Sequence, residues 1–282
     1  MKEIVLEAEK LSEHLGVQVN ALDGSKPFDE KTRAALYKTW VEHSVLLLRD
    51  QHMTPEQFVA FARQFGKPIE QNLKHLNVPG CPELAFISSD DKDIHGTGQR
   101  VVRGTSWHTD HSYAAIPPKC TMLFAVDIPA NGGDTQFTST AAAFEALPRE
   151  KRARLDGMQS VHAFESSRSP RRMVKRTPEE VAAYPGDAVH PLIRTNPDTG
   201  RKSIYVNTVR SERILDLCDE DSGSLLDELF EQVDQPQFQY RHQWKSGDIL
   251  LWDNRSVLHK ANADYEGKRF LYRIMVEGAK PV

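Results

Sequence analysis

Cysteine is scarce in this chain, with only Cys81, Cys120 and Cys218 in 282 residues. Their spacings fit neither a disulfide framework nor a zinc clamp, so a disulfide-stapled fold is excluded and free thiols are expected. Long apolar runs are missing as well. No stretch approaches the length that spans a bilayer, and Met1-Lys2-Glu3-Ile4-Val5 lacks the apolar core of a signal peptide. No membrane association is expected, and the cytoplasm is the expected compartment. Excess basic charge is also absent: 36 Lys and Arg against 40 Asp and Glu leave a formal net charge of -4. A chain of that balance offers no broad positive field, so no nucleic-acid partner is expected. There is no internal repeat and no low-complexity tract.

What is present is length enough for a full hydrophobic core, as one large β-rich domain or two small ones. Residues 28–43 carry Ala34, Leu36, Trp40 and Val41 at helical spacing and lead into the apolar run Val45-Leu46-Leu47-Leu48, which predicts a helix and then a buried strand. Thr54-Pro55-Glu56-Gln57 combines an N-cap, a first-turn proline and a capping-box glutamine ahead of Phe58, Phe61 and Phe65, and Gly66 ends that helix. Met122–Val126 and Thr135–Thr138 flank the turn residues Pro129 to Asp134, a pattern that predicts a hairpin. A helix is expected from Thr140 as cap through Leu147, a second hairpin around Asn196-Pro197-Asp198-Thr199-Gly200, and an amphipathic helix over Asp219–Val233. Segment 67–104 reads as a strand at Leu84-Ala85-Phe86-Ile87 followed by a loop, and it and the basic, polar segment 166–188 are candidate lids over a site.

The chemistry points to His108-Thr109-Asp110 and a distant His259, followed by Arg269 and Arg273 ten and fourteen residues later. Side chains at i and i+2 of a strand share a face, so one strand can aim His108 and Asp110 at one point while Thr109 faces away. His259 follows the strand-like run Ile249-Leu250-Leu251-Trp252, and a closed antiparallel barrel would bring it alongside as a third ligand. Two imidazoles and a carboxylate on one side of a metal, with other positions open, form the facial triad of non-haem Fe(II) oxygenases. Because these residues come from the middle and the end of the chain, a single domain over 1–282 is expected. His111 should point away by alternation and serve the core or support the site. Trp107, Tyr113 and Trp252 are candidates for a pocket wall. Two rivals share the ligand set: a zinc-type hydrolase with a metal-bound water, and a non-catalytic β-barrel binding protein with a structural metal.

Five stretches carry a wider likeness: Trp107-His108-Thr109-Asp110, Gly132-Gly133-Asp134-Thr135, His190-Pro191-Leu192-Ile193-Arg194-Thr195, Gly247 to Arg255, and His259 to Arg273. Through them nearly the whole chain resembles the taurine/2,4-dichlorophenoxyacetate dioxygenase (TauD/TfdA) family of Fe(II)- and 2-oxoglutarate-dependent oxygenases. The resemblance implies a mainly β α+β fold, a double-stranded β-helix (jelly roll, cupin-like) with peripheral helices and a mobile lid. It implies Fe(II) held by His108, Asp110 and His259, with 2-oxoglutarate and O2 as co-substrates. Thr135 and Arg269 match the positions that hold the distal carboxylate of 2-oxoglutarate. Arg273 matches an arginine facing the acid group of the substrate, with Asn72, His75 and Tyr113 as further substrate contacts. An arginine fork suits both anions, since parallel charge-assisted hydrogen bonds fix orientation along with charge.

The implied reaction hydroxylates a small organic anion and releases succinate and CO2. A carbon next to a heteroatom would then break down to an aldehyde or keto acid. Halide-transferring relatives lack the carboxylate that Asp110 supplies, so hydroxylation is expected. Tyr205-Val206-Asn207 resembles the sulfonate enzymes, while Lys119 to Leu123 and Tyr240 to Trp244 resemble the aryloxyacetate type. The substrate is therefore left open among sulfonates, sulfate esters and aryloxyalkanoates. A homo-oligomer, dimer or tetramer, is the assembly the resemblance implies.

Overall fold

In the computed structural model, which describes residues 4–71, 76–90, 102–170, 178–183 and 186–282, the apolar runs of the sequence become strands buried on both faces. Val45–Leu48, Ile249–Asp253, Cys120–Asp127 and Phe270–Val276 lie side by side in the middle of an eight-stranded sheet. Val17–Val19 and Ala8–Lys10 extend it on one side, Cys81–Ser88 and Asn77–Val78 on the other. Successive side chains alternate between faces. Leu46, Leu48, Met122, Phe124, Ile249, Leu251, Ile274 and Val276 therefore pack with Leu36, Trp40, Phe58 and Phe61 of helices Glu30–His43 and Pro55–Arg63. Their neighbours Val45, Leu47, Leu123, Ala125, Leu250, Trp252 and Leu271 pack the other way, against Phe137 and Val257. Those two belong to a three-stranded sheet of Gln239–His242, Thr135–Ser139 and Val257–Ala261. A strand covered on both sides needs an apolar residue at every position, which is why these segments read as unbroken hydrophobic runs.

A third cluster surrounds helix Asp219–Val233, where Leu225, Leu226 and Leu229 meet Ala143, Leu192, Ile204 and Ile214. The expected helix ends have physical causes. Thr54 Oγ1 accepts from Gln57 N at 3.3 Å while the Gln57 side chain accepts from Thr54 N at 2.8 Å, closing the capping box. The hairpin at 193–204 forms, with Ile193 opposite Ile204.

Three expectations fail. Cys120–Asp127 and Thr135–Ser139 do not pair, because the turn between them carries the chain from one sheet to the other. The cap of helix Thr140–Glu145 is Ser139, whose Oγ accepts from Ala142 N at 3.1 Å. No closed barrel forms among the described residues, whose strands fall into sheets of eight, three, three and two. Within 67–104 the expected strand forms as Cys81–Ser88, preceded by Asn77–Val78, and 166–188 contains the helix Pro178–Ala183. The remaining parts of those two segments include 72–75, 91–101, 171–177 and 184–185, outside the described residues. The result is a mainly β α+β fold. No helix among the described residues is long and apolar enough to cross a membrane.

Candidate active site

His108 and His259 form an isolated antiparallel bridge, with His108 N donating to His259 O at 3.1 Å and His259 N to His108 O at 2.8 Å. The bridge sets the two imidazoles side by side, ring centroids 4.2 Å apart. The chain then turns at Asp110 instead of continuing as a strand. That turn, rather than strand alternation, returns Asp110 to the same point, where its Oδ2 lies 3.9 Å from His259 Nε2. One ligand atom from each of His108, Asp110 and His259 lies within 4.8 Å of the others.

His108 Nδ1 lies 2.8 Å from Ser106 O, an acceptor only, so Nδ1 carries the proton and Nε2 keeps its lone pair. Beside the ring, Gly104 has φ +75°, and a Cβ there would sit 3.0 Å from His108 Cε1 and 3.5 Å from Nε2. Glycine keeps that edge of the imidazole open. Two imidazoles and a carboxylate gathered at one point fit a divalent cation.

Asp110 is braced by polar contacts that sequence reasoning missed. Thr121 Oγ1 donates to Asp110 Oδ2 at 2.5 Å and accepts from Asn254 Nδ2 at 3.0 Å. Asn254 Oδ1 in turn accepts from Trp252 Nε1 at 3.0 Å, and Thr109 Oγ1 donates to Asn254 O at 2.8 Å. The available signal was a hydroxyl inside the apolar strand Cys120–Asp127, directly opposite Trp252. Burial alone would raise the Asp110 carboxyl, but Arg273, His259 and His108 outweigh it and hold the group well below the usual carboxylate range.

The two arginines share a face, as their even separation predicts. Leu271 between them faces Phe137, and the register break beside Phe270 is absorbed on the neighbouring strand, where Asp127 and Ala125 oppose consecutive residues. Arg273 Nη2 contacts Asp110 Oδ1 at 2.8 Å and Met275 Sδ at 3.1 Å. Arg269 is buried, with Nε donating to Gly133 O at 3.0 Å. Gly133 has φ +70°, and a Cβ there would meet Arg269 Cδ at 3.1 Å, so the arginine passes where only glycine leaves room. Thr135 follows two residues later, paired with Ala261 while Phe137 pairs with His259. Its Oγ1 accepts from Trp244 Nε1 at 3.0 Å, which leaves the hydroxyl proton to donate elsewhere.

Asn72 and His75 lie outside the described residues. Tyr113 is buried beside Phe164, rings 4.7 Å apart, and 5.3 Å from the His111 ring. His111 is not sent away by alternation as expected: it sits in a turn at φ +49°, half-buried. Burial first, then Arg273, push its imidazole down to about 4 despite the opposing pull of Asp110. It does not belong to the three-ligand group. Trp107 lies in the helical core, donating to Asp234 at 2.6 Å, and Trp252 packs 4.5 Å from the His259 ring.

Residues 7–275 match the family described as Taurine catabolism dioxygenase TauD, TfdA family. Pentalenolactone F synthase of Streptomyces arenae is 32% identical, covering 93% of this chain and 91% of its own. An (S)-phenoxypropionate/alpha-ketoglutarate-dioxygenase of Sphingobium herbicidovorans is 31% identical over 93% and 90%. A solved taurine dioxygenase from Burkholderia xenovorans superposes with a TM-score of 0.83 at 32% identity, over 98% of this chain and 91% of that one. The chain belongs to the TauD/TfdA family of dioxygenases, and with them is an oxidoreductase that uses 2-oxoglutarate and dioxygen.

Proposed function

We propose that this protein is an Fe(II)-dependent enzyme that hydroxylates a small organic anion, a sulfonate, sulfate ester or aryloxyalkanoate. One substrate C–H, one O2 and one 2-oxoglutarate give C–OH, succinate and CO2. The observation that carries the reading is the convergence of His108, Asp110 and His259 in front of Arg273. We read the two facing sheets as a double-stranded β-helix core and 1–282 as one domain, because the site draws on residues from 104 to 273.

Iron in that triad would supply a redox-active centre with open positions for the 2-oxo acid and dioxygen. The protein's own residues supply the rest. Arg269, set by Gly133 O, and Thr135, set by Trp244, hold the distal carboxylate of 2-oxoglutarate through charge-assisted and hydroxyl hydrogen bonds. Thr135 lies two residues along its strand from Phe137, the cross-strand partner of His259, a step of about 6.6 Å that suits a five-carbon diacid. Thr121 orients Asp110, and Ser106 fixes the proton on His108 Nδ1. Phe137 and Trp252, both buried against His259, keep water from that side. Arg273 exchanges part of its contact with Asp110 for the acid group of the substrate. The three free thiols suit a reducing compartment such as the cytoplasm.

The test is succinate release under aerobic Fe(II) conditions across organic sulfonates, sulfate esters and aryloxyalkanoates. Turnover should require an acid, and Arg273→Ala should raise KM for it. Equal turnover of neutral analogues, with Arg273→Ala silent, would overturn the assignment of an anionic substrate.

A further inference from the structure

Behind Thr135 lies a buried carboxylate that none of the preceding roles uses. Asp248 stands just before strand Ile249–Asp253, and its Oδ2 alone takes three donors: Arg49 Nη1 at 2.6 Å, Lys245 N at 2.8 Å and His242 Nε2 at 3.1 Å. Arg49 already answers its charge. The imidazole is therefore not needed there for neutrality, and its other nitrogen is engaged as well: with the proton on Nε2, Nδ1 accepts from the Tyr240 hydroxyl at 3.0 Å. Burial outweighs the pull of Asp248 and lowers the pKa of His242 below its ordinary value, which preserves that neutral form. Both edges of the ring are pinned.

The pinned ring stands where it bears on the site. His242 is the cross-strand partner of Thr135, so the two side chains leave the same face of their sheet. Trp244 lies two residues further on, past the paired stretch Gln239–His242. Its indole meets the His242 ring at 90°, centroids 4.6 Å apart, and its Nε1 donates to Thr135 Oγ1 at 3.0 Å. The turn that carries Trp244 closes on the same carboxylate, since Lys245 N reaches Asp248 Oδ2 and Asp248 N donates to Lys245 O at 3.1 Å. Asp248 thus holds the indole twice, through the ring against it and through the residue after it. An edge-to-face pair fixes orientation in addition to burying area.

We infer that His242, anchored by Asp248, is a positioning residue for 2-oxoglutarate: it aims the Trp244 N–H, which occupies the Thr135 oxygen and turns the hydroxyl proton towards the distal carboxylate. The inference rests on the role proposed above for Thr135. A hydroxyl free to rotate has to be ordered when the ligand binds, whereas one set beforehand does not. The effect is confined to the distal end of the co-substrate, because the 2-oxo acid end belongs to the triad.

The experiment measures, by calorimetry on anaerobic Mn(II)-loaded protein, binding of 2-oxoglutarate and of 2-oxovalerate, which has the same carbon chain with a methyl group in place of the distal carboxylate. Thr135→Val, Trp244→Phe, His242→Phe, His242→Gln and the double variant of Trp244→Phe with His242→Phe are compared, and Leu225→Ala in the helical core controls for lost stability. Thermal melts confirm that each is folded. His242→Phe, which keeps a ring but breaks both hydrogen bonds, should weaken 2-oxoglutarate about three- to tenfold, the range of one hydrogen bond, and leave 2-oxovalerate unchanged. His242→Gln, able to return a donor to Asp248, should recover part of the loss, and Leu225→Ala should shift neither acid. Residues that act through one another are non-additive, so His242→Phe should add little once Trp244→Phe is present. Should His242→Phe not fold, Tyr240→Phe, which frees Nδ1 alone, gives the reading: a smaller loss for 2-oxoglutarate only supports the inference, and none sinks it. A silent His242→Phe, an equal loss for both acids, or full additivity with Trp244→Phe would overturn the inference, while Thr135→Val weakening 2-oxoglutarate alone would leave the role of Thr135 standing. If Thr135→Val changes nothing, that role falls and the inference falls with it.

Discussion

Arg255 and Arg273 each pair with a buried aspartate, and the two pairs differ in how completely they are closed. Arg255 grips Asp253 through Nε at 2.7 Å and Nη2 at 2.9 Å and reaches Asp198 through Nη1 at 2.7 Å. Asn196 takes Asp253 Oδ2 as well, at 2.9 Å, and the Tyr37 hydroxyl donates to Asp198. Burial would depress the Arg255 guanidinium, but Asp253 and then Asp198 outweigh it and raise its proton affinity. Arg273 instead meets Asp110 through one Nη2–Oδ1 contact, and its side chain is 19% exposed against 4% for Arg255. A bidentate pair whose arginine also grips a second aspartate fastens the fold. A single-contact pair beside two imidazoles can exchange its partner for a metal or a substrate anion.

Breaking the open pair should abolish activity and spare the fold. Asp110→Asn keeps the shape but removes the charge that completes the triad, so metal binding by calorimetry and succinate release should both drop to background. The metal-free variant should still unfold cooperatively, and a collapse of folding would place Asp110 with Asp253 as a structural group. The closed pair should give the reverse pattern. Arg255→Gln strands a buried carboxylate, and loss of one partner of such a pair costs about 3–5 kcal/mol. Urea unfolding reads this directly, and a loss under about 1 kcal/mol would mean that Asn196 and the surrounding dipoles suffice for Asp253.

Much of this contrast was legible in the sequence. Periodicity revealed the two-sided strands because full burial demands apolar residues at nearly every position, and the side chains that gather at the candidate site stood out because few residue types bind metal or carboxylate. Strand alternation failed at His111, because the chain turns at Asp110 and enters a left-handed conformation that no two-residue repeat encodes. The failed 122–138 hairpin has a similar cause. Its turn residues are real, but turn chemistry marks a change of direction without stating which sheet receives the next strand. Thr121 and Asn254 stayed hidden because their role depends on pairing between Cys120–Asp127 and Ile249–Asp253, far apart in the chain.

Those two residues sharpen the comparison, since they decide how firmly the open pair is aimed. Thr121→Val preserves volume and removes the hydrogen bond to Asp110 Oδ2. Changes to groups that orient metal ligands typically lower metal affinity about 10- to 100-fold, and that range is expected here for Mn(II) titrated into metal-free protein. Unchanged affinity would show that Arg273 and the two histidines aim Asp110 without Thr121.

Acid should separate the structural and functional regions, with the smallest effect near neutrality. His162 is fully buried in the three-stranded sheet of Gln159–His162, Ala188–Pro191 and Ser211–Ile214, and burial, then His190, push its imidazole from 6.5 down to about 3. A folded-state value below the unfolded one means that the unfolded chain takes up the proton first. The stability contributed by neutral His162 is therefore complete above about 6.5 and drains away as pH falls towards about 3. The depressed Asp110 carboxyl follows the same sign in a lower window, its contribution being present above about 3.8 and lost only on further acidification. His162→Gln, which keeps a partner for the Ser160 hydroxyl, should flatten the urea-derived stability of metal-free protein between pH 6 and 4 by up to about 1.4 kcal/mol per pH unit, the value of one linked proton. Asp110→Asn should leave that slope alone and alter only the more acidic limb. Coincident changes in both variants would show that the two regions titrate as one unit, and the distinction between a closed structural half and an open functional one would fail.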